Sequence, residues 1–214
     1  MTFFKHELFP SLELNRIDTD DGRFYQLPSG EKFKSVTTIL SSINEAKIEE
    51  WKKRVGEEEA RKVSTQASRR GTAIHDLCEQ YLLNNKQYSR SAMPVNIYTF
   101  NKIKPYLDKY VNTIYGLEHM MYSRKYKCAG TSDLICLWDS VPSIVDFKTS
   151  RYEKTKDMIF SYFLQSAMYS YMVKELYDMD IEQIVILMVV DSSDVLIFKE
   201  NPTSYYTELD KVFL

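Results

Sequence analysis

Apolar positions along the chain repeat with a helical period in some segments and run without interruption in others. In residues 69–83 they are spaced i, i+3, i+4, i+7 and i+8, which is typical of a helix with one face against a core. These positions are Ile74, Leu77, Cys78, Tyr81 and Leu82. Ser68 precedes the segment and is its predicted N-cap. The uninterrupted apolar run 184–190 instead predicts a buried strand.

Turn residues divide the rest of the chain into further predicted elements. A Pro-Ser-Gly turn predicts a hairpin over 24–33, and Pro105 predicts a bend in a helix over 94–115. The other predicted helices cover residues 35–43, 45–63, 157–177 and a short C-terminal segment. The predicted strands cover residues 118–127, 130–138, 143–149, 183–190 and 194–199, with turns at 129–130, 139–142 and 191–193. This order of elements predicts an α+β fold with a mixed sheet.

Two carboxylates and an ammonium group lie inside predicted strands whose flanks are apolar. Asp146 and Lys148 point to one face of their strand, and Phe147 points to the other. Asp133 can reach the same place if its strand lies beside theirs. Two carboxylates about 4 Å apart repel by roughly 4 kcal/mol at an effective dielectric of 20. A divalent cation between them would offset that repulsion.

Such a cluster suits the hydrolysis of phosphodiester bonds. Mg²⁺ prefers one or two carboxylates together with waters and phosphate oxygens. Beside the cation, Lys148 would have a lowered pKa and could orient or activate a water. On spacing alone, a surface ion pair between Asp146 and Lys148 is an equal alternative.

Two strings of the sequence resemble the core of the PD-(D/E)xK nucleases, namely GTSD at 130–133 and IVDFKTS at 144–150. The first is most similar to the RecB-type branch, in which GxxD replaces the Pro-Asp pair. Upstream, RGTAIH at 70–75 with Glu79 resembles the helix motif of that branch, which carries a metal-binding histidine. Downstream, QSAMY at 165–169 is similar to its QxxxY motif.

The four motifs follow the order of that branch across residues 69–169. Within the branch the chain most resembles the mitochondrial genome maintenance exonucleases and their phage relatives, to which SVTTIL at 35–40 and Glu118 also correspond. The resemblance implies an αβββαβ core of the restriction-endonuclease-like kind with an N-terminal helical embellishment. It also implies a Mg²⁺- or Mn²⁺-dependent DNA exonuclease that acts on single strands or DNA ends.

The resemblance assigns roles to individual residues. Catalytic residues are expected at Lys148, Asp146 and Asp133. Metal ligands are expected at Asp133, Asp146, His75, the backbone carbonyl of Phe147, and Glu79. DNA contacts are expected from Ser35, Thr37, Arg69, Arg70, Thr149, Gln165 and Tyr169. Glu118 is either a further acid of the site or a strand-edge charge, Glu79 is otherwise a surface glutamate, and Tyr169 is otherwise a core residue.

Charge is distributed unevenly along the chain, which carries a net charge of −2. Residues 175–214 hold nine acidic and two basic side chains, a charge of −7, which leaves +5 on residues 1–174. Basic patches in that part suit contact with a polyanion such as DNA, and solvated helix faces are an equal alternative for each patch taken alone. The three cysteines form no CxxC pair, so they favour a reducing compartment and exclude a four-cysteine iron–sulfur cluster.

The expected organisation is a hairpin and helical region over residues 1–66, which arches over the site, and a nuclease core over 67–214, packed as one unit. The longest apolar run is too short to span a bilayer and no signal peptide is recognised, so we expect a cytoplasmic protein without a membrane partner. Expected partners are DNA and proteins of replication, recombination or repair. Two alternatives stay open, namely a structure- or sequence-specific endonuclease, and a nucleic-acid-binding protein with an inactive core.

Overall fold

One mixed β-sheet forms the centre of the protein. The computed structural model describes residues 3–191 and 194–214, and within these residues the sheet has nine strands. They are β1 (Lys5–His6), β2 (Asn15–Thr19), β3 (Gly22–Gln26), β4 (Lys32–Ser35), β5 (Val111–Ser123), β6 (Cys128–Trp138), β7 (Val141–Ser150), β8 (Gln183–Val190) and β9 (Val195–Glu200).

The strands follow the order β2-β3-β4-β6-β7-β8-β9, and β5 pairs with the other edge of β6. The predicted antiparallel meander is confirmed, because β5, β6 and β7 pair with their sequence neighbours in antiparallel register. The predicted hairpin is confirmed as well, in β3 and β4. The parallel pairs are β4 with β6, β7 with β8, and β1 with β5. Parallel neighbours need a long crossover, which helices supply between β4 and β6 and between β7 and β8.

Helices cover both faces of the sheet. They are α1 (Val36–Ser41), α2 (Glu45–Val55), α3 (Glu57–Leu82), α4 (Pro94–Tyr110), α5 (Phe160–Tyr177) and α6 (Tyr206–Phe213). Single 3₁₀ segments lie at Ser42–Asn44, Lys156–Ile159 and Pro202–Tyr205. None of the helices within the described residues has the length and apolar character required to cross a membrane.

Alternate residues of the central strands fill two separate cores. Val145 and Phe147 of β7 pack with α3 and α4, whereas Ile144 packs with α5 on the other face. The apolar stripe of α3 predicted from its spacing is buried in the first of these cores. A third, smaller cluster joins the β3–β4 hairpin to β6 through side chains that include Tyr25, Phe33 and Ala129. The central strands are buried on both faces, which explains their nearly continuous apolar sequence.

The helix break before α3 differs from the prediction. Ser68 does not cap a helix, because it lies inside α3, which runs without interruption from residue 57 to residue 82. The break occurs instead at Gly56, which has a φ of +86° that L-residues rarely adopt. Three glutamates in the first turn of α3 favour a helix start there, because negative charge stabilises a helix N-terminus. The expected domain boundary between residues 66 and 67 also lies within this helix.

Boundaries around the meander differ from the prediction too. The expected turn at residues 129–130 is wrong, since both residues lie in β6, and the turn occurs just before it with Lys127 at a φ of +47°. The helix expected over 94–115 ends at Tyr110, and β5 begins at the next residue. The turn between β6 and β7 is tighter than expected, with Asp139 and Ser140 in positive-φ conformations. Ser192 and Ser193 of the expected turn at 191–193 lie outside the described residues.

Candidate functional site

A gap in the sheet creates the site. β5 occupies one edge of β6 throughout, and the other edge is shared between β4, at residues 128–129, and β7, at residues 134–138. Residues 130–133 of β6 have no strand partner on that edge among the described residues. The backbone of β7 beyond Val145 therefore faces the gap with unpaired polar groups, which side chains must satisfy.

Asp133 and His75 satisfy the two backbone groups of Phe147. The Phe147 N–H donates to Asp133 Oδ2 over 2.8 Å. His75 Nε2, on α3, lies 2.7 Å from the Phe147 carbonyl oxygen. A carbonyl oxygen can only accept, so Nε2 carries the proton and donates. This bond orients the imidazole and places Nδ1 3.5 Å from Asp133 Oδ1.

Glu118 completes a group of three potential metal ligands. Its Oε1 lies 3.9 Å from His75 Nδ1, and ligand atoms of His75, Glu118 and Asp133 all lie within 4.8 Å of one another. Glu118 belongs to β5 but has a φ of +42°, an uncommon conformation for a side-chain-bearing residue. One imidazole and two carboxylates suit a divalent cation of the Mg²⁺ or Mn²⁺ type. The group could therefore hold a metal ion.

Ionisation in this group reflects burial and mutual charge. Burial lowers the pKa of His75, but the Asp133 carboxylate outweighs burial and raises that pKa to about 9. Burial raises the pKa of Asp133, yet the charge of His75 holds it below its ordinary value. Burial and the nearby Asp133 raise the pKa of Glu118 to about 7. Without a metal ion, His75 is therefore protonated at neutral pH. Glu118 is protonated in about half of the molecules near pH 7.

Asp146 and Lys148 form an ion pair in which the carboxylate is buried and the ammonium is partly exposed to the cleft. They point to the same side of β7, as predicted, with Lys148 Nζ 2.5 Å from Asp146 Oδ2. Asp146 is only 2% exposed, and burial raises the pKa of its carboxyl to about 6 in spite of Lys148. Burial lowers the pKa of Lys148, but Asp146 and Asp133 outweigh it, so the amine remains an ammonium ion. The ring centroid of Tyr162 lies 5.0 Å from the same Nζ.

The group of converging donor atoms differs from the set of ligands that the resemblance implies. The described residues whose donor atoms converge within 4.8 Å include Glu118 and not Asp146. The Asp146 carboxylate faces Lys148 instead. Glu79 lies one turn along α3 from His75, and burial together with Asp76 raises its pKa. The Phe147 carbonyl does point to the site, where it accepts a hydrogen bond from His75 Nε2.

These groups line an open cleft of about 770 Å³. The predicted site residues in its wall are Thr37, His75, Glu79, Glu118, Asp133, Lys148, Gln165 and Tyr169. Tyr169 is 2% exposed, and Gln165 Nε2 donates to its hydroxyl over 3.3 Å. A Cβ at position 130 would lie 2.6 Å from Tyr169 Cε1, so the glycine of the GTSD string allows this ring to approach β6.

Other predicted contact residues have different surroundings. Ser35 is 1% exposed and caps α1, since its Oγ accepts from the Thr38 N–H over 3.0 Å. Arg70 forms an ion pair with Asp191, which ties α3 to the end of β8. Arg69 and Thr149 lie outside the wall of the cleft.

Sequence reasoning missed Arg16, Arg23, Tyr25 and Asp76 in the cleft wall. Gly71, Thr72 and Thr131 also line the cleft and belong to strings that carry the resemblance, but no role was expected of them. The hairpin was expected from residue 24 onward, so the strand before it was not recognised. The alternation of Arg16 with Asp18, and of Arg23 with Tyr25, was the signal that could have identified a two-stranded face there.

The fold and the site together define a mixed α/β protein with a candidate divalent-metal site in a cleft beside its central sheet. No family model and no curated protein matches the sequence. Among solved structures, a candidate exonuclease from Eubacterium rectale is similar with a TM-score of 0.48 and 14% identity, covering 67% of this chain and 63% of that one. This chain thus spans less than two thirds of that protein's length. SSO0001 is similar with a TM-score of 0.32 and 14% identity, covering 64% of this chain and 72% of that chain.

Proposed function

We propose that this protein is a divalent-metal-dependent nuclease that hydrolyses phosphodiester bonds in DNA. One observation carries the proposal, namely that His75, Glu118 and Asp133 converge within 4.8 Å of one another in a cleft that also receives the Lys148 ammonium. The resemblance of the sequence to PD-(D/E)xK nucleases of the RecB type supports it, because the same residues carry the motifs.

His75, Glu118 and Asp133 would hold the ion, with the Phe147 carbonyl available once His75 Nε2 releases it. A divalent ion bound there would supply Lewis-acid stabilisation to a phosphate oxygen of the substrate. His75 must give up a proton to become a ligand, because an imidazolium ion has no free lone pair. Asp133 keeps its charge and, through the Phe147 N–H, fixes the position of β7 relative to β6.

Lys148 would act on the attacking water and on the phosphate. Its ammonium faces the cleft on one side and Asp146 on the other. The Asp146 carboxylate orients this ammonium group. Lys148 would therefore donate hydrogen bonds to the attacking water and to a phosphate oxygen as negative charge develops there.

Exonuclease action on single strands or DNA ends is the finer part of this proposal. It is supported by the resemblance to the mitochondrial genome maintenance exonucleases and by the positive charge of residues 1–174. We propose that α2 and the first half of α3, which are largely exposed, arch over the cleft and thread a strand. A threaded strand must have a free end.

Digestion of end-labelled linear single and double strands, with and without Mg²⁺, tests the proposal. We expect nucleotides to be released in Mg²⁺ and no release in the presence of a chelator. Asp133→Asn should abolish release, whereas Asp139→Asn, which changes an exposed acid at the far end of β6, should not. Intact strands under all conditions would contradict the nuclease proposal and favour a nucleic-acid-binding protein with an inactive core.

A covalently closed single-stranded circle separates exonuclease from endonuclease action. If threading is correct, the circle stays intact while a linear strand of the same sequence is degraded. Equal cleavage of the circle and the linear strand would contradict exonuclease action and indicate an endonuclease with the same catalytic residues.

A further inference from the structure

The β2–β3 hairpin presents two arginines, Arg16 and Arg23, to the cleft. Arg16 lies opposite Tyr25 in the antiparallel register, and Asp18 lies opposite Arg23. Residues two apart on a strand and residues directly opposite each other share a face. Arg16, Asp18, Arg23 and Tyr25 therefore form one face, and three of them line the cleft.

One carboxylate holds both guanidinium groups in place. Asp18 Oδ1 accepts from Arg23 Nε over 2.8 Å, and Asp18 Oδ2 lies 3.0 Å from both Nε and Nη2 of Arg16. One Nη group of Arg16 and both Nη groups of Arg23 have no hydrogen-bond partner in the part of the chain that the structure describes. The three side chains carry a combined charge of +1, so the cluster can accept a further anion.

The hairpin is fixed close to the metal-ligand group. The Tyr25 hydroxyl lies 2.9 Å from Thr131 Oγ1, two residues before Asp133. Arg16 is near enough to Glu118 to lower the pKa of that carboxyl, against the larger effect of burial. Apart from His75, the charged side chains that α3 contributes to the cleft wall, Asp76 and Glu79, are acidic, so the hairpin favours an anion more than the α3 wall does.

We propose that Arg16 and Arg23, held by Asp18, form a phosphate-binding subsite for the nucleic acid strand whose scissile bond lies at the metal-ligand group. The inference rests on the proposed function, and it assigns the strand a position across the cleft. A guanidinium fork matches two oxygens of a phosphate, which a lysine does not. The phosphate is either a phosphodiester within the strand or a phosphomonoester at its end, and the test below distinguishes the two.

The test measures binding of a fluorescent single strand over a range of salt concentrations in Ca²⁺, with a gel to verify that the strand stays intact. The variants are Arg16→Gln/Arg23→Gln and a control, Lys86→Gln/Arg90→Gln, which removes the same charge from an exposed loop beyond α3. Each phosphate contact contributes roughly 0.7 to the slope of log K against log salt for a single strand. We expect the first variant to lose at least about that much slope and the control to retain it.

Strands with a 5′-phosphate, a 3′-phosphate or no terminal phosphate identify the source of the bound group. If it is terminal, the wild-type protein prefers one phosphorylated strand and the arginine variant loses the preference. If it is internal, the variant loses the same slope on all three strands. Either result supports the subsite.

Unchanged affinity and slope in the arginine variant would overturn the subsite while leaving the nuclease proposal intact. If the arginine variant loses slope but the wild-type protein does not cleave DNA in Mg²⁺, phosphate binding is supported and the nuclease proposal is overturned. Arg16→Lys/Arg23→Lys keeps the charge and removes the fork, and we expect it to recover most of the slope but not the affinity. Failure of that variant to recover any slope, with an unchanged melting temperature, would also count against phosphate binding.

Discussion

At the scale of single residues, raised pKa values keep protons on groups in and beside the candidate metal site. His75, Glu118 and Asp146 have pKa values of about 9, 7 and 6, above their ordinary values of 6.5, 4.5 and 3.8. A group whose folded pKa is raised stabilises the protein below its ordinary pKa, and that contribution is lost as the pH rises through the folded value. The free energy of unfolding of the metal-free protein should therefore fall as the pH rises from about 4 to about 9.

Metal affinity should change in the opposite direction with pH. A ligand must lose its proton to bind, so Mn²⁺ should bind more weakly at pH 6 than at pH 8. Calorimetry in two buffers of different ionisation enthalpy should detect proton release on binding at pH 7. Asp139→Asn serves as a control that leaves the ligands unchanged. Affinity that does not vary between pH 6 and pH 8 would contradict a role for His75 and Glu118 as ligands.

Replacement of Lys148 should separate cleavage from binding. Lys148→Ala is expected to lower the rate of cleavage by at least ~10²-fold, because it removes an ammonium group that stabilises the negative charge developing on the phosphate. Strand affinity should remain close to that of the wild-type protein, since one charge contributes little to a contact with several phosphates. Lys154→Ala is a matched control, because Lys154 also lies beside the Tyr162 ring, 5.4 Å from its centroid, and has no ion pair with Asp146. Full cleavage by Lys148→Ala would remove this residue from the mechanism.

The contact between Gly130 and Tyr169 should be visible in stability. Gly130→Ala places a methyl group against the Tyr169 ring and should lower the free energy of unfolding by about 1–3 kcal/mol. Tyr169→Leu removes the ring atoms that clash. Gly130→Ala should therefore lower the free energy of unfolding by less in the Tyr169→Leu protein than in the wild-type protein. Chemical denaturation of the four proteins in this double-mutant cycle measures the difference. Additive effects would mean that the ring does not limit the space at position 130.

At the scale of secondary structure elements, Gly56 decides where α2 ends and α3 begins. Its φ of +86° and ψ of 148° lie in a region that is nearly exclusive to glycine. Gly56→Ala should therefore destabilise the protein by roughly 1–3 kcal/mol or straighten the two helices into one.

Gly71→Ala is the matched control, since position 71 is helical and a Cβ there meets nothing within 4 Å. It should be stabilising by up to about 1 kcal/mol, because alanine is the better helix former. Thermal unfolding measures both changes. The same response to both substitutions would show that the break at residue 56 imposes no strain on alanine.

The elements could be predicted where one physical signal dominated. The apolar stripe of α3 and the alternation of Asp146, Phe147 and Lys148 identified their faces correctly. The Ala129-Gly130 pair looked like a turn, because the local sequence cannot show that a ring from α5 requires the missing Cβ. The start of α3 was predicted at the wrong residue for a similar reason. Ser68 has a side chain that can cap a helix, but the local sequence cannot show that the helix continues through this position.

The candidate site was predictable only in part. Motif spacing identified Asp133, Lys148 and His75, which the fold brings to one cleft. It could not show that Glu118 would join His75 and Asp133, because that depends on an unusual φ in β5. Spacing alone left an ion pair between Asp146 and Lys148 as an equal alternative, and the fold forms that pair with Asp146 buried.

At the scale of the whole molecule, charge should determine where a strand lies. Residues 175–214 carry −7 and residues 1–174 carry +5, so a polyanion is repelled from the C-terminal part. Hydrogen exchange of the protein with and without a single strand, in Ca²⁺, should show protection in β2, β3 and the cleft wall of α3. Helix α6 is the internal control, and its exchange should not change. Protection centred on α6 would contradict the proposed orientation.

Within the described residues, two backbone register pairs join the β3–β4 hairpin to β6, namely Lys34 with Cys128 and Ser35 with Ala129. A shortened chain beginning after residue 35 would leave this edge of β6 open and would uncover Ala129. Open strand edges pair readily with strands of other molecules. The shortened protein should therefore self-associate and precipitate, so attempts to isolate a minimal catalytic fragment would need to retain the first 35 residues.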